Sequence, residues 1–262
     1  MASLVESVAN LDVNETPNEG QQTPRGEPAE TLTCPVSGHA ATDGAACPVA
    51  HANGTLPIPT MQEIDPEAIR LHLEDRMRYL KDFLGFGVKD QEIMKRIAPI
   101  VSETINETVE RLYANLFEFD ITKKVFMERN DGFDGELPER LEDLKLDSPQ
   151  LVYRKIFMRT WCRRVLMADY TSGKTWAYMD KVGIMHTGVK SFKHRTTVSP
   201  LHVPYRDCAL TLGWVQTVLH TALLGVPEAE LSMAEKVEAI GALNKILWIQ
   251  NDLFARHYIP NE

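Results

Sequence analysis

Cysteine is scarce in this chain. Four residues in 262, at 34, 47, 162 and 208, do not make a disulfide framework. A reducing, cytosolic setting is the expectation. Positive charge is also in short supply. Lysine and arginine total 28 against 37 aspartates and glutamates, for a formal net charge of −9. No global basic field is present to draw nucleic acid or an anionic membrane surface. No unbroken apolar run reaches the ~20 residues of a membrane span. The opening residues MASLVESVANLDVNE carry acids early and no basic start before an apolar stretch. They do not read as a secretory signal, and without arginine they make a poor mitochondrial presequence. Strand-like alternation strong enough to compete with helix is absent too.

Composition changes sharply near Pro57 and Pro59. Residues 1–60 are rich in Gly, Ala, Pro, Thr, Glu and Asn, with few large apolar residues and hardly any aromatics. Such a segment cannot bury enough surface to offset ordering entropy, so it is expected to be a disordered extension. It carries a crude echo, Cys34-Pro35-Val36 and then Cys47-Pro48-Val49, with His39 and His51 close behind. An inert linker and a haem-regulatory or metal-binding pair are both compatible with that pattern. A structural zinc site would usually have tighter spacing.

From Met61 onward helical signals dominate. Asp65-Pro66-Glu67 offers a capping side chain, a proline where its missing N–H does no harm, and an acid in the first turn. That helix is expected to reach about 83, ended by Gly85 and Gly87. A short helix follows from about 89, with Ala98-Pro99 marking a break. A long one is then expected from 99 to 117, where Ile105, Val109, Leu112, Tyr113 and Leu116 share a face. Asp120 can cap a short helix over 121–128. Residues 130–147 read mostly as acidic loop. Ser148-Pro149 starts a helix to about 168, with Tyr153, Phe157, Trp161 and Val165 four apart. A helix over 173–190 puts Met179, Val182, His186 and Val189 on one face. Two apolar helices, 205–224 and 232–258, close the chain around Gly225-Val226-Pro227. The expected class is all-α, with about eight helices.

His186 is the first candidate for chemistry. A histidine on an apolar face serves either as a satisfied core residue or as a metal ligand. A haem ligand needs a neutral imidazole in an apolar slot, fixed by an acceptor on its other ring nitrogen. An aromatic-bearing helix precedes the histidine helix and two apolar helices follow. A flat cofactor needs walls on two sides and a ligand from one, and these parts come in that order. Tyr113 is the second candidate. Its phenol can meet a backbone carbonyl in the core, or donate a hydrogen bond to a bound dioxygen, worth about 0.5–1.5 kcal/mol.

These residues resemble a known family. Val109-Glu-Arg-Leu-Tyr113-Ala-Asn-Leu-Phe117 resembles the distal-side helix of globin-coupled sensors and single-domain protoglobins. Tyr178-Met-Asp-Lys-Val-Gly-Ile-Met-His186 resembles their proximal helix. Arg78-Tyr-Leu-Lys-Asp-Phe-Leu-Gly-Phe86 resembles their extra N-terminal helix. The stretch from Asn244 to Tyr258 resembles their last helix. The likeness spans roughly 65–259. It implies a globin-like fold with an extra N-terminal helix, occupying 61–262 behind the 1–60 leader, and a haem b cofactor. Under it, His186 is the proximal iron ligand and Tyr113 the distal hydrogen-bond donor. Phe157 falls at a distal pocket position, Trp161 one turn later, and Thr211 and Val215 near further pocket positions. The 192–203 loop is longer than in the sensors and closer to the protoglobin pattern. No output domain is expected within these residues, so a sensing role would call for a signalling partner or for this chain to be part of something larger.

The implied function is binding of a diatomic gas (O2, with CO or NO as alternatives) for sensing, scavenging or storage. A second reading is a haem enzyme with nitric-oxide dioxygenase or peroxidase-like activity, its electrons supplied from elsewhere. A third is a haemless helical interaction module. His194 and His202 could act as competing ligands or meet haem propionates, or be ordinary loop residues. Cys162 and Cys208 read as core. The last two helices are apolar enough to support a homodimer or deep burial in one subunit.

Overall fold

The computed structural model describes residues 61–130, 133–188 and 201–259. The Cys34 and Cys47 pair, His39, His51, Val189 and His194 lie outside them. The described residues form eight α-helices and no strand: α1 (Pro66–Leu71), α2 (Leu73–Leu84), α3 (Val88–Phe117), α4 (Asp120–Lys124), α5 (Pro149–Leu166), α6 (Gly173–His186), α7 (Tyr205–Gly225) and α8 (Met233–Tyr258). Single 3-10 turns occur at Val125–Met127 and Leu141–Asp143.

Local chemistry explains most of the ends. Asp65 Oδ1 accepts from the Glu67 amide at 2.9 Å, and Pro66 opens α1. Ser172 accepts from the Lys174 amide and starts α6. Ser232 and Glu235 make a reciprocal capping box at the start of α8. Gly85 takes the left-handed conformation, φ 62°, that closes α2.

Two expectations are corrected. The stretch 66–83 is two helices, because His72 is extended (φ −111°, ψ 118°) and serves as the end of α1 and the start of α2. The break at Pro99 does not occur; α3 runs through it for 30 residues. A proline inside a helix costs a hydrogen bond and a steric clash. Here Met94, Ile97, Ala98 and Val101 are buried on both sides of Pro99, and their packing holds the axis together.

Helix α8 is the axis of the fold. Ala239, Ala242, Leu243, Ile246, Ile249 and Leu253 are fully buried, and the helix packs on α3, α6 and α7. Helix α3 packs in turn on α5 and α7. Two charged pins tie the N-terminal helices to this axis. Arg76, on α2, forms a two-pronged pair with Asp252 at 2.5 and 2.7 Å. Lys245 reaches Asp90 at 2.7 Å and the Gly85 carbonyl at 2.8 Å. Among the described residues, α7 alone is long and apolar enough to cross a membrane, a test that the core helix of a soluble protein also passes. It lies along α8 and touches α3.

Candidate functional site

The site is built where α6 crosses α8. Gly183 makes the crossing possible: a Cβ there would stand 2.3 Å from the Leu253 carbonyl oxygen. One turn further on, His186 ends α6. Its Nδ1 meets the Val182 carbonyl at 2.7 Å, and its ring stands edge-on to Phe254 at 5.2 Å and 88°. A carbonyl only accepts, so the ring proton sits on Nδ1 and Nε2 keeps its lone pair. Nε2 makes no hydrogen bond with another described residue. Burial is the main cause that lowers the His186 pKa, which favours the neutral ring at neutral pH.

The chain returns to the same place after residue 200. Val203 N–H donates to the His186 carbonyl at 2.8 Å, and His202 Nδ1 meets the Thr187 carbonyl at 3.1 Å. Val182, Cys208, Leu212, Leu247 and Phe254 form an apolar cluster at this end of the fold, with Trp161 and Tyr178 packed on it.

Tyr113 lies on α3 and is buried, 4 % exposed. Its ring leans on Phe126 at 5.4 Å. Its hydroxyl makes no hydrogen bond with another described residue, and burial pushes its pKa well above the ordinary tyrosine value. It is therefore a neutral donor without an acceptor among the described residues.

Around Tyr113, α5 sets two cations, Arg154 and Lys155, that hydrophobic periodicity gives no reason to bury, and a third, Arg159, that is partly exposed. Lys155 bonds Glu110 at 2.5 Å and the Leu146 carbonyl at 3.0 Å, with its ammonium 5.7 Å from the Tyr113 ring centre. Arg159 shares the same Glu110. Arg154 lies over the Phe126 ring at 5.4 Å and donates to the Glu128 carbonyl at 2.7 Å. Burial lowers its pKa to about 10. Gln150, also buried, ties the same α4–α5 connection through Asn130, Phe126 and Glu128.

The protoglobin family model matches residues 73–262. The chain belongs to the protoglobin family. In fold, the globin domain of the Geobacter sulfurreducens globin-coupled sensor is similar, with a TM-score of 0.51 at 17 % identity, over 70 % of this chain and 97 % of that one. A search of curated proteins finds no match. Membership implies a haem cofactor, and the donors of this protoglobin suit one. Among the described residues, no group of three or more His, Cys, Asp or Glu could hold a metal ion. A metal at His186 therefore needs its remaining ligands from elsewhere, as a porphyrin supplies them. Cys162 is no rival as a thiolate, because burial pushes its pKa up to about 12.

Other positions named by the resemblance are spread around this protoglobin's core. Trp161 and Val215 both line a small apolar cavity, with Ile105, Cys162, Leu219 and Leu243. The cavity is about 20 Å³, against the roughly 300–1,000 Å³ of typical cofactor pockets. The Trp161 indole N–H donates to Gln250 at 3.4 Å. Thr211 is partly buried, its hydroxyl donating to the Asp207 carbonyl at 2.7 Å. Phe157 is not drawn into the Tyr113 group; it is 47 % exposed and edge-on to Tyr153 at 4.9 Å.

Proposed function

We propose that this protoglobin is a haem b protein that binds a diatomic gas (dioxygen, carbon monoxide or nitric oxide) for sensing, scavenging or storage. The haem supplies the iron to which the gas binds. His186 offers Nε2 as its metal ligand. The Val182 carbonyl fixes the tautomer, Phe254 fixes the ring plane, and burial favours the neutral ring. These are the requirements of a histidine that would hold a metal with support from its neighbours. Tyr113 holds a neutral O–H inside the core, where it can stabilise a polarised diatomic by about 0.5–1.5 kcal/mol. Trp161 and Val215 give apolar walls that exclude water, with Phe157 and Thr211 closing the margins as the pocket opens. Under this reading the haem-binding unit spans 61–262, with 1–60 as an extension, in a cytoplasmic setting.

The observation that carries this reading is the Val182–His186 hydrogen bond, which leaves Nε2 of a partly buried imidazole without a hydrogen-bond partner among the described residues. The test is the absorption spectrum of the purified protein in ferric, ferrous and carbonyl forms, beside His186→Ala. A haem spectrum that the variant loses or recoordinates is expected. A wild type that binds no added haem, or a variant identical to it, would contradict the reading and leave a helical interaction module.

A homodimer through α7 and α8 is part of the same proposal. Leu210, Leu224 and Trp248 are each more than half exposed on those helices, an apolar surface that a second copy would cover.

A further inference from the structure

We propose that Tyr258 is a positioning residue for His186, acting through the backbone of Val203. The inference rests on the haem reading above and goes beyond it in naming what holds the backbone of the ligand.

His186 is the last residue of α6. The final carbonyls of a helix have no donor within the helix, and last turns fray. A ligand there is only as well placed as the turn that carries it. In this fold the His186 carbonyl accepts from the Val203 N–H at 2.8 Å. Beside that bond, Thr187 and His202 pair as an isolated antiparallel bridge. Val203 is β-branched and precedes Pro204, a combination that restricts its backbone and favours extended geometry. Its own carbonyl accepts from the Tyr258 hydroxyl at 2.6 Å. One stiff residue therefore carries both bonds. Its N–H holds the end of α6, and its C=O is held by the end of α8.

Helix α8 thus reaches His186 twice from one face. Phe254 stands edge-on to the imidazole, and Tyr258, one turn later, holds the residue that grips the His186 carbonyl. The Tyr258 ring is itself placed. It leans on Tyr205 at 5.7 Å and packs against the cluster of Val182, Cys208, Leu212, Leu247 and Phe254. Burial is the main cause that raises its pKa, so the phenol keeps the proton it donates. The Cys208 thiol stands 4.0 Å from the same Val203 carbonyl, and a thiol is a weak donor. Packing alone would be served by the ring; the hydroxyl adds the bond to Val203. Tyr205 is the internal control, because its hydroxyl donates to Asn251 at 3.3 Å.

The experiment uses the full chain loaded with haem, as wild type, Tyr258→Phe and Tyr205→Phe. The readouts are the iron–histidine stretching band of the ferrous form, haem transfer to an excess acceptor, and hydrogen exchange of the Val203 amide in the ferrous carbonyl form. Tyr258→Phe keeps the ring and removes the bond. It should shift or broaden the iron–histidine band, and quicken haem loss and Val203 exchange by up to about tenfold, following the worth of one hydrogen bond. Tyr205→Phe should leave the band in place. An unchanged band in a folded, haem-bearing Tyr258→Phe overturns the proposal. So does an equal shift in Tyr205→Phe, which marks a general loosening of the helix ends. If Tyr258→Phe does not fold, Val203 exchange in wild type decides. Protection supports the proposal, and exchange as fast as in an unfolded peptide overturns it. A wild type with no Soret band ends the haem reading itself, and this proposal with it.

Discussion

Gly183 on α6 lies against the carbonyl of Leu253 on α8 so closely that a Cβ on it would stand 2.3 Å from that oxygen. The neighbour is main chain, which cannot rotate aside. The contact sets the approach of the two helices one turn before His186, so it also sets where the imidazole stands. Gly183→Ala should force α6 off α8 and cost about 1–3 kcal/mol, the range for overpacking a filled core. Thermal unfolding of the haem-free protein reads this directly. A helical alanine is otherwise favourable by about 1 kcal/mol relative to glycine. An unchanged or raised midpoint would show that the crossing is not as close as described.

Gln250 ties three helices together. It is fully buried on α8, its Nε2 donates to the Met179 carbonyl of α6 at 3.1 Å, and its Oε1 accepts from Trp161 of α5 at 3.4 Å. Gln250→Leu preserves volume and strips the Trp161 N–H of its acceptor. The expected cost is about 1–3 kcal/mol, the range for an unmet buried donor. Chemical denaturation checks the stability, and a blue shift in tryptophan emission checks the altered indole. A variant as stable as wild type with unshifted emission would remove Gln250 from the account.

Alkaline pH tests the burial of the phenols. Burial raises the pKa of Tyr113 and Tyr170 above the ordinary tyrosine value near 10. The fold therefore holds them neutral at a pH where the unfolded chain ionises. The stability they confer is fully present below about 10 and is lost as pH rises towards their raised values. Tyrosinate absorbance should climb in two phases. Tyr113 and Tyr170 ionise only in the later phase, as helicity is lost, and burial raises Tyr178 and Tyr258 in the same direction. One reversible phase near pH 10 that includes all seven tyrosines, with the helices intact, would contradict this.

Tyr113→Phe removes the free hydroxyl and keeps the ring on Phe126. Gas dissociation from the ferrous protein should quicken by up to about tenfold, following the worth of one hydrogen bond. Carbon monoxide, which is less polarised when bound, should respond less than dioxygen. Equal dissociation rates in variant and wild type would place the phenol outside the gas-binding space.

Much of the helical framework was legible in the sequence, because caps and prolines act locally. Asp65-Pro66, Ser148-Pro149 and Ser232 with Glu235 each open a helix where the pattern put one. The long-range terms were not legible. Pro99 has the local chemistry of a break, yet the burial of Ile97 and Val101 overrides it. His72 carries no breaker chemistry, yet the chain turns there. On α5 the four-residue spacing of Tyr153, Phe157, Trp161 and Val165 drew attention to one face. The helix in fact turns Leu151, Arg154, Lys155 and Val165 inward and leaves Phe157 half exposed. Two buried cations look like solvent-facing residues to any hydrophobic period. Only their tertiary partners, Glu110 and Phe126, mark them as interior. His186 was findable from its helix face and from the order of elements around it. The Val182 carbonyl that orients it carries no sequence signal of its own, although Val182 shares the helix face.

The most direct test of the central claim is chemical rescue at His186. His186→Gly removes the imidazole and leaves the backbone of α6 in place. The haem-reconstituted variant is titrated with free imidazole while the Soret and ferrous carbonyl bands are followed. The account predicts a variant with altered or lost coordination that recovers the wild-type ferrous carbonyl spectrum as imidazole saturates. A His186→Gly protein whose spectra match wild type without imidazole would show that another residue holds the iron.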